Sequence, residues 1–106
     1  MSGKSRKEQI EAMLADDPHD PFLRYGLAME YVSQGDHAEA VRCFRELLAV
    51  VPDYVPAYLQ AGQALLRLDR REEARDVWKR GVTAARGQGN THAAEEMQGF
   101  LANLEE

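Results

Sequence analysis

Leu27-Ala28-Met29-Glu30-Tyr31-Val32-Ser33-Gln34-Gly35-Asp36-His37-Ala38-Glu39-Ala40-Val41-Arg42-Cys43-Phe44 holds two helical stripes on either side of a single stop. Leu27, Ala28 and Tyr31 recur at helical spacing and share one face. Gly35 ends that helix, and Asp36-x-x-Glu39 restarts the chain by reciprocal capping of backbone N–H groups. Ala40 and Phe44 stand one turn apart on the second helix, and Leu47 and Leu48 extend their stripe until Pro52 stops it. Two amphipathic helices joined by so short a turn bury their apolar faces on each other, which predicts an antiparallel helical hairpin.

The same order of bulk returns further along the chain at a constant offset: Leu27 falls on Ala61, Tyr31 on Leu65, Ala40 on Ala74, Phe44 on Trp78 and Leu47 on Gly81. Identity is sparse, limited to Glu39/Glu73 and Ala40/Ala74. What repeats is size, small residues where helices must approach and aromatics where the gap must be filled. Pro56 opens a helix to about Leu68, and Asp69-x-x-Glu72 is expected to cap the next, about Arg71–Ala85, with Ala74, Val77, Trp78 and Val82 inward. Gly87-Gln88-Gly89 terminates it.

Outside the two hairpins, Ser5-x-x-Glu8 caps a helix to about Ala15 with Ile10, Met13 and Leu14 as its stripe. Asp20 caps the helix that begins at Pro21 and includes Leu23. A final helix, about Asn90–Leu104, takes Asn90 or Thr91 as cap and turns Met97, Phe100, Leu101 and Leu104 inward. Shifting Pro52 back by the same offset reaches Pro18, so the first helix reads as the second half of a repeat. Alanine and leucine number 26 against 10 for valine, isoleucine and threonine, so six helices and an all-α class are expected.

One chain of 106 residues with 44% hydrophobic and 29% charged residues suits a single domain with a modest core. Its net charge of −5 argues against a nucleic acid or an anionic membrane as main partner. Cys43 is alone and has no disulfide partner within the chain, and the longest apolar run is Leu47 to Val51. The chain therefore reads as cytoplasmic, with no signal peptide or membrane span expected.

These residues make the sequence similar to the tetratricopeptide repeat family, whose 34-residue unit follows W-x2-L-G-x2-Y, then A-x3-F, then P. Leu27-Ala28-x2-Tyr31, Gly35-Asp36, Ala40-x3-Phe44 and Pro52 sit at the matching offsets, with Arg24 in place of the leading aromatic. In the second unit Tyr58, Ala61-Gly62-x2-Leu65, Ala74-x3-Trp78 and Gly81 match. Asp69 stands at the turn glycine and Arg86 at the proline. The resemblance implies a right-handed α-α superhelix of helical hairpins. Residues 1–4 would be a disordered tail, 5–17 an N-terminal half-repeat helix, 21–54 the first repeat, 55–88 the second and 90–104 a C-terminal cap.

In such a superhelix the first helix of each hairpin lines the concave side. The inner-facing residues are then Tyr25, Met29, Val32 and Ser33, followed by Leu59, Gln63, Leu66 and Arg67. This largely apolar surface suits a peptide or partner helix, with Gln63 and Arg67 giving directional hydrogen bonds. If the terminal helices fold over it, Tyr25, Met29 and Leu66 are plain core instead. One use of the family, a clamp for a chaperone's acidic tail, requires Lys, Asn and Arg where this chain has Tyr25, Met29, Gln60, Asn90 and Ala94, so the sequence argues against it.

Other chemistry finds no support. His19, His37 and His92 lack companions at ligand spacing, and His92-x-x-Glu95 falls short of a closed metal site. Asp16, Asp17 and Asp20 lack the alternation of a calcium loop. Cys43 has no histidine at helical spacing, and Gly87-x-Gly89 is too short to cradle a phosphate. The segment Arg67–Arg86 carries net +3, but Glu72, Arg75, Asp76, Lys79 and Arg80 are spaced for solvated ion pairs. The expectation is a non-enzymatic adaptor without cofactor that binds a protein or peptide. The alternatives are a self-association module whose repeat edges stack on another copy, or a non-catalytic subunit of a larger assembly.

Overall fold

The computed structural model describes residues 3–105, so half of the expected tail at 1–4 lies outside the described residues, with Gly3 and Lys4 inside. Six helices follow in order: α1 (Arg6–Asp16), α2 (Pro21–Ser33), α3 (His37–Val50), α4 (Val55–Arg67), α5 (Arg71–Gly87) and α6 (Thr91–Leu104). No strand occurs among the described residues. Successive antiparallel helices stack along one axis into a body of 50 × 28 × 20 Å. Its radius of gyration, 14.4 Å, exceeds the ~13 Å of a compact domain this long, as a stacked repeat should.

Local chemistry explains most helix starts. Ser5 and Glu8 exchange their hydrogen bonds as a capping box, at 3.1 and 2.9 Å. Asp20 accepts from the Leu23 N–H, Asp36 from the Glu39 N–H and Asn90 from the Ala93 N–H, each at 3.1–3.2 Å. α4 starts one residue before Pro56, with Tyr54 as a cap that makes no side-chain bond.

The expected Asp69 cap of α5 is corrected by the structure. Asp69 is left-handed, with φ 60°, and its N–H donates to the Leu66 carbonyl. It therefore occupies the turn position that Gly35 fills at φ 78° and Gly89 at φ 70°. In all three turns the next residue donates back five positions: Asp36 to Tyr31, Arg70 to Leu65 and Asn90 to Ala85. The repeat geometry demands a left-handed residue there, and aspartate is among the few side chains that accept it. The cap position passes to Arg70, which makes no side-chain capping bond.

Side-chain size sets the helix spacing. Ala28, Ala40, Phe44 and Leu47 are wholly buried between α2, α3 and α4. In the second hairpin a Cβ on Gly62 would come within 2.1 Å of Trp78 Nε1, so the missing side chain makes room for the indole. That indole donates to the Leu59 carbonyl at 3.2 Å and stacks on Phe100 at 5.0 Å between centroids. Gly81 likewise admits Tyr58 and Met97, joining α5 to α4 and α6.

α6 repeats the burial of α4 at a shift of 36: Ala57 and Ala93, Tyr58 and Ala94, Ala61 and Met97 are all buried. The extra length belongs to α5, which runs 17 residues against 14 for α3. Gly87 is consequently its last helical residue, and Gly89 makes the turn. At its far end α6 is fastened by Arg71 Nη2, which donates to the Leu104 carbonyl at 2.9 Å.

Candidate functional site

α2 and α4 are the first helices of the two hairpins. α1 packs on α2, and α6 packs on α5 with a lesser contact to α4. Between the C-terminal half of α2 and the facing side of α4 lies a hollow of about 240 Å³. Its wall holds Val32, Ser33 and His37 on one side and Gln60, Gln63 and Arg67 on the other. No described residue of α1 or α6 contributes to it.

Three of the residues singled out from the sequence, Val32, Gln63 and Arg67, thus come together in this hollow, along with Ser33. Gln63 and Arg67 are exposed, as the helical spacing required. Neither forms a side-chain hydrogen bond or ion pair among the described residues, and Gln60 is equally free. Met29, Leu59 and Leu66 are half-buried against the core and do not line the hollow. Tyr25 lies apart from it, its ring 5.9 Å from Phe44 and 5.6 Å from Tyr54 between centroids. Burial and the neighbouring Tyr54 push its phenol pKa up, so the ring stays neutral and acts as packing.

Sequence reasoning missed three features of this face. His37 contributes to the hollow because the turn at Gly35 brings the start of α3 beside α4. Phe22 is 68% exposed, and its place one residue after Pro21, on the first turn of an inner helix, was the signal available. Met13 was assigned to the core stripe of α1 but is 48% exposed. Its counterpart one repeat on, Leu47, is wholly buried. Among the described residues no helix covers Met13 from the far side of α1, and it lines a small cavity of about 170 Å³ with Ile10, Phe22 and Leu23.

A wider depression of about 760 Å³ lies between the α3–α4 loop and the last turns of α5. Apart from the Asp53 carboxylate, its polar side chains are already bonded within the chain. Tyr58 donates its hydroxyl proton to the Pro52 carbonyl at 2.6 Å, and Gln88 donates to the Asp53 carbonyl at 2.5 Å. On the outer helices, Glu72 pairs with Arg75 at 2.5 Å and Asp76 with Arg80 at 3.4 Å, while Glu39 and Glu46 both pair with Arg42. Burial raises the Cys43 thiol pKa and keeps it protonated, the opposite of what a nucleophile needs. No cluster of three His, Cys, Asp or Glu side chains placed to hold a metal occurs among the described residues. No described helix is long and apolar enough to cross a membrane.

Stacked helical hairpins with small-to-large complementarity and an inner face lined by alternate helices define a helical-repeat interaction module. The family model for the tetratricopeptide repeat matches residues 31–97. A TPR repeat-containing protein of Pseudomonas aeruginosa is 30% identical over 98 residues, covering 92% of this chain and 93% of that one. The solution structure of a tetratricopeptide repeat domain protein from Salinibacter ruber superposes with a TM-score of 0.78 at 36% identity, over 83% of this chain and 89% of that one. A Bordetella parapertussis protein superposes with a TM-score of 0.85 at 30% identity, over 97% and 90%. The chain belongs to the tetratricopeptide repeat family.

Proposed function

We propose that this protein is a non-catalytic, cytoplasmic adaptor that holds an extended peptide or a partner helix along its inner face, across α2 and α4. The hollow carries this reading, because Gln63 and Arg67 stand in it with unspent hydrogen-bonding capacity beside apolar Val32. At the wider depression the Tyr58 hydroxyl and the Gln88 amide are already bonded within the chain. Met29, Leu59 and Leu66 would add apolar area by small side-chain movements, and Tyr25 supports the face from beneath. Two repeats offer limited area, so affinity should be modest, on the order of micromolar.

The test is a titration of isotope-labelled protein with peptides selected for binding. Resonances of Val32, Gln63 and Arg67 should shift while those of Arg42 and Lys79 on the outer helices stay still. Met29→Glu or Leu59→Glu should abolish binding with the melting temperature near wild type. Because both side chains also touch the core, Gln63→Ala with Arg67→Ala serves as the exposed control. Retained binding in all three variants, each folded, would refute the reading.

A second reading, self-association, is favoured by exposed Phe22 and Met13, which line one cavity between α1 and α2. Light scattering over a wide concentration range decides it. A monomer throughout excludes stacking of copies.

A further inference from the structure

We propose that the hollow between α2 and α4 is a subsite for an acidic side chain, an aspartate or glutamate within the bound segment, held by Arg67, Gln63 and His37. The inference rests on the inner-face reading and specifies the chemistry of one position in its ligand.

The wall has donors in excess and no acceptor of matching charge. His37 Nδ1 is the single buried side-chain nitrogen or oxygen without a hydrogen-bond partner among the described residues. Such an atom costs free energy until something completes it. An imidazole carrying its proton on Nδ1 needs an acceptor there. Arg67, in the last turn of α4, brings a guanidinium whose planar fork matches a carboxylate. The Gln60 and Gln63 amides add further N–H donors.

Among the described residues no carboxylate lines the hollow, in a chain whose net charge is −5. Two acids on the adjoining α2 and its turn are engaged elsewhere: Asp36 accepts from the Glu39 N–H, and Glu30 pairs with Arg6 at 2.9 Å. The Ser33 hydroxyl donates to the Glu30 carbonyl at 2.9 Å. An apolar side chain entering the hollow would leave the Arg67 guanidinium without an acceptor, and a basic one would meet its charge. A carboxylate does neither. About 240 Å³ accommodates one such side chain with a water or two, not a helix. Of the chaperone-tail clamp's places the hollow holds Gln60 alone, and Arg67 and His37 stand at none of them.

Selection from a random-peptide display library, run in parallel on wild type and Arg67→Glu, tests the proposal. Wild type should enrich peptides with Asp or Glu at one fixed distance from their apolar anchors, and Arg67→Glu should replace that preference with Lys or Arg. For a synthetic wild-type winner, exchanging the acid for its amide should weaken calorimetric binding about tenfold. Arg67→Gln should weaken the parent peptide to the same extent with little added effect on the amide peptide. His37→Ala should lose affinity for the parent peptide only.

Enriched peptides that bind the inner face with no fixed acidic position, or a preference unmoved by Arg67→Glu, would overturn the subsite while leaving the adaptor reading intact. No enrichment on wild type would overturn both. Arg67 is exposed, so unchanged thermal melting of its variants checks that the fold persists.

Discussion

The two hairpins share a pattern of bulk and differ in how deeply they are held. In α4 seven residues are buried, from Val55 to Leu65, whereas in α2 only Ala28 is. Helix propensity does not account for this. α4 lies among α3, α5 and α6, while the outer flank of α2 meets only α1, which buries Ile10 alone. The same repeat is thus a core element at one place and an edge element at another, as expected where each unit is stabilised mainly by its neighbours.

The pairs that fill the hairpins differ in a compensating way. Ala28 and Phe44 are both wholly buried in the core, and at the equivalent positions of the second hairpin Gly62 makes room for Trp78. One methyl group is lost from the first helix and a larger ring grows on the second. Gly62→Ala should therefore be the most damaging small substitution, costing about 3 kcal/mol, because the added Cβ displaces the indole and strains its bond to the Leu59 carbonyl. Adding Trp78→Phe, which makes the second hairpin resemble the first, should recover about 2 kcal/mol of that loss in a denaturation double-mutant cycle. Strict additivity would break the comparison. Ala28→Gly should cost only about 1 kcal/mol.

The difference in depth predicts a gradient. Ile10→Ala should cost about 2 kcal/mol, the low end for emptying a core site, because α1 can detach without unfolding the rest. Hydrogen exchange should show α1 and the first turns of α2 losing protection while α4 and α5 keep theirs. Uniform loss through α5 would mean that the chain melts as one unit and that the edge is no weaker than the centre.

How much of this was legible beforehand follows the same division. Bulk at Ala40, Phe44, Ala74 and Trp78 gave the hairpins, since it is fixed by contacts inside one repeat. The capping residues Ser5, Asp20 and Asp36 were equally readable because they act within one turn, and for α6 the structure chooses Asn90 over Thr91. Met13 was not readable, because whether such a residue is covered depends on packing from outside its own helix. The hollow was half legible. Gln63 and Arg67 follow from helical spacing, but His37 arrives there through the turn at Gly35, which no single-helix periodicity encodes. Asp69 was misread because a side chain that often caps the next helix here does the work of a glycine.

That turn supplies a smaller test, in which each hairpin is given the other's turn residue. Asp69→Gly should stabilise the protein by about 0.5–1 kcal/mol, since glycine adopts φ near 60° without the penalty of a Cβ. Gly35→Asp should destabilise by a similar amount. If Asp69→Gly destabilised instead, the aspartate would be contributing more than backbone shape.

The smallest expected effect concerns the ion-pair cluster that links the outer helices of the two hairpins. Glu73 on α5 accepts from Arg70 at 2.5 Å and from Arg45 on α3 at 2.8 Å. These two hydrogen bonds, Arg70 first, hold its carboxyl down at about 2. In the unfolded chain it titrates near ~4.3, so the folded state favours the ionised form. Its contribution is fully present above that unfolded value and is lost as pH falls toward 2. Because the cluster is solvent-exposed, the effect should be slight and should fade with salt. The melting-temperature gap between wild type and Glu73→Gln should be largest near neutral pH in dilute buffer, closing toward pH 2 and also in ~1 M salt. The corresponding first-hairpin pair, Arg42 with Glu39, lies within one helix, so Glu39→Gln should change α3 without altering how the hairpins are joined. A gap for Glu73→Gln indifferent to both pH and salt would show that the side chain supports the α3–α5 junction by packing, not by charge.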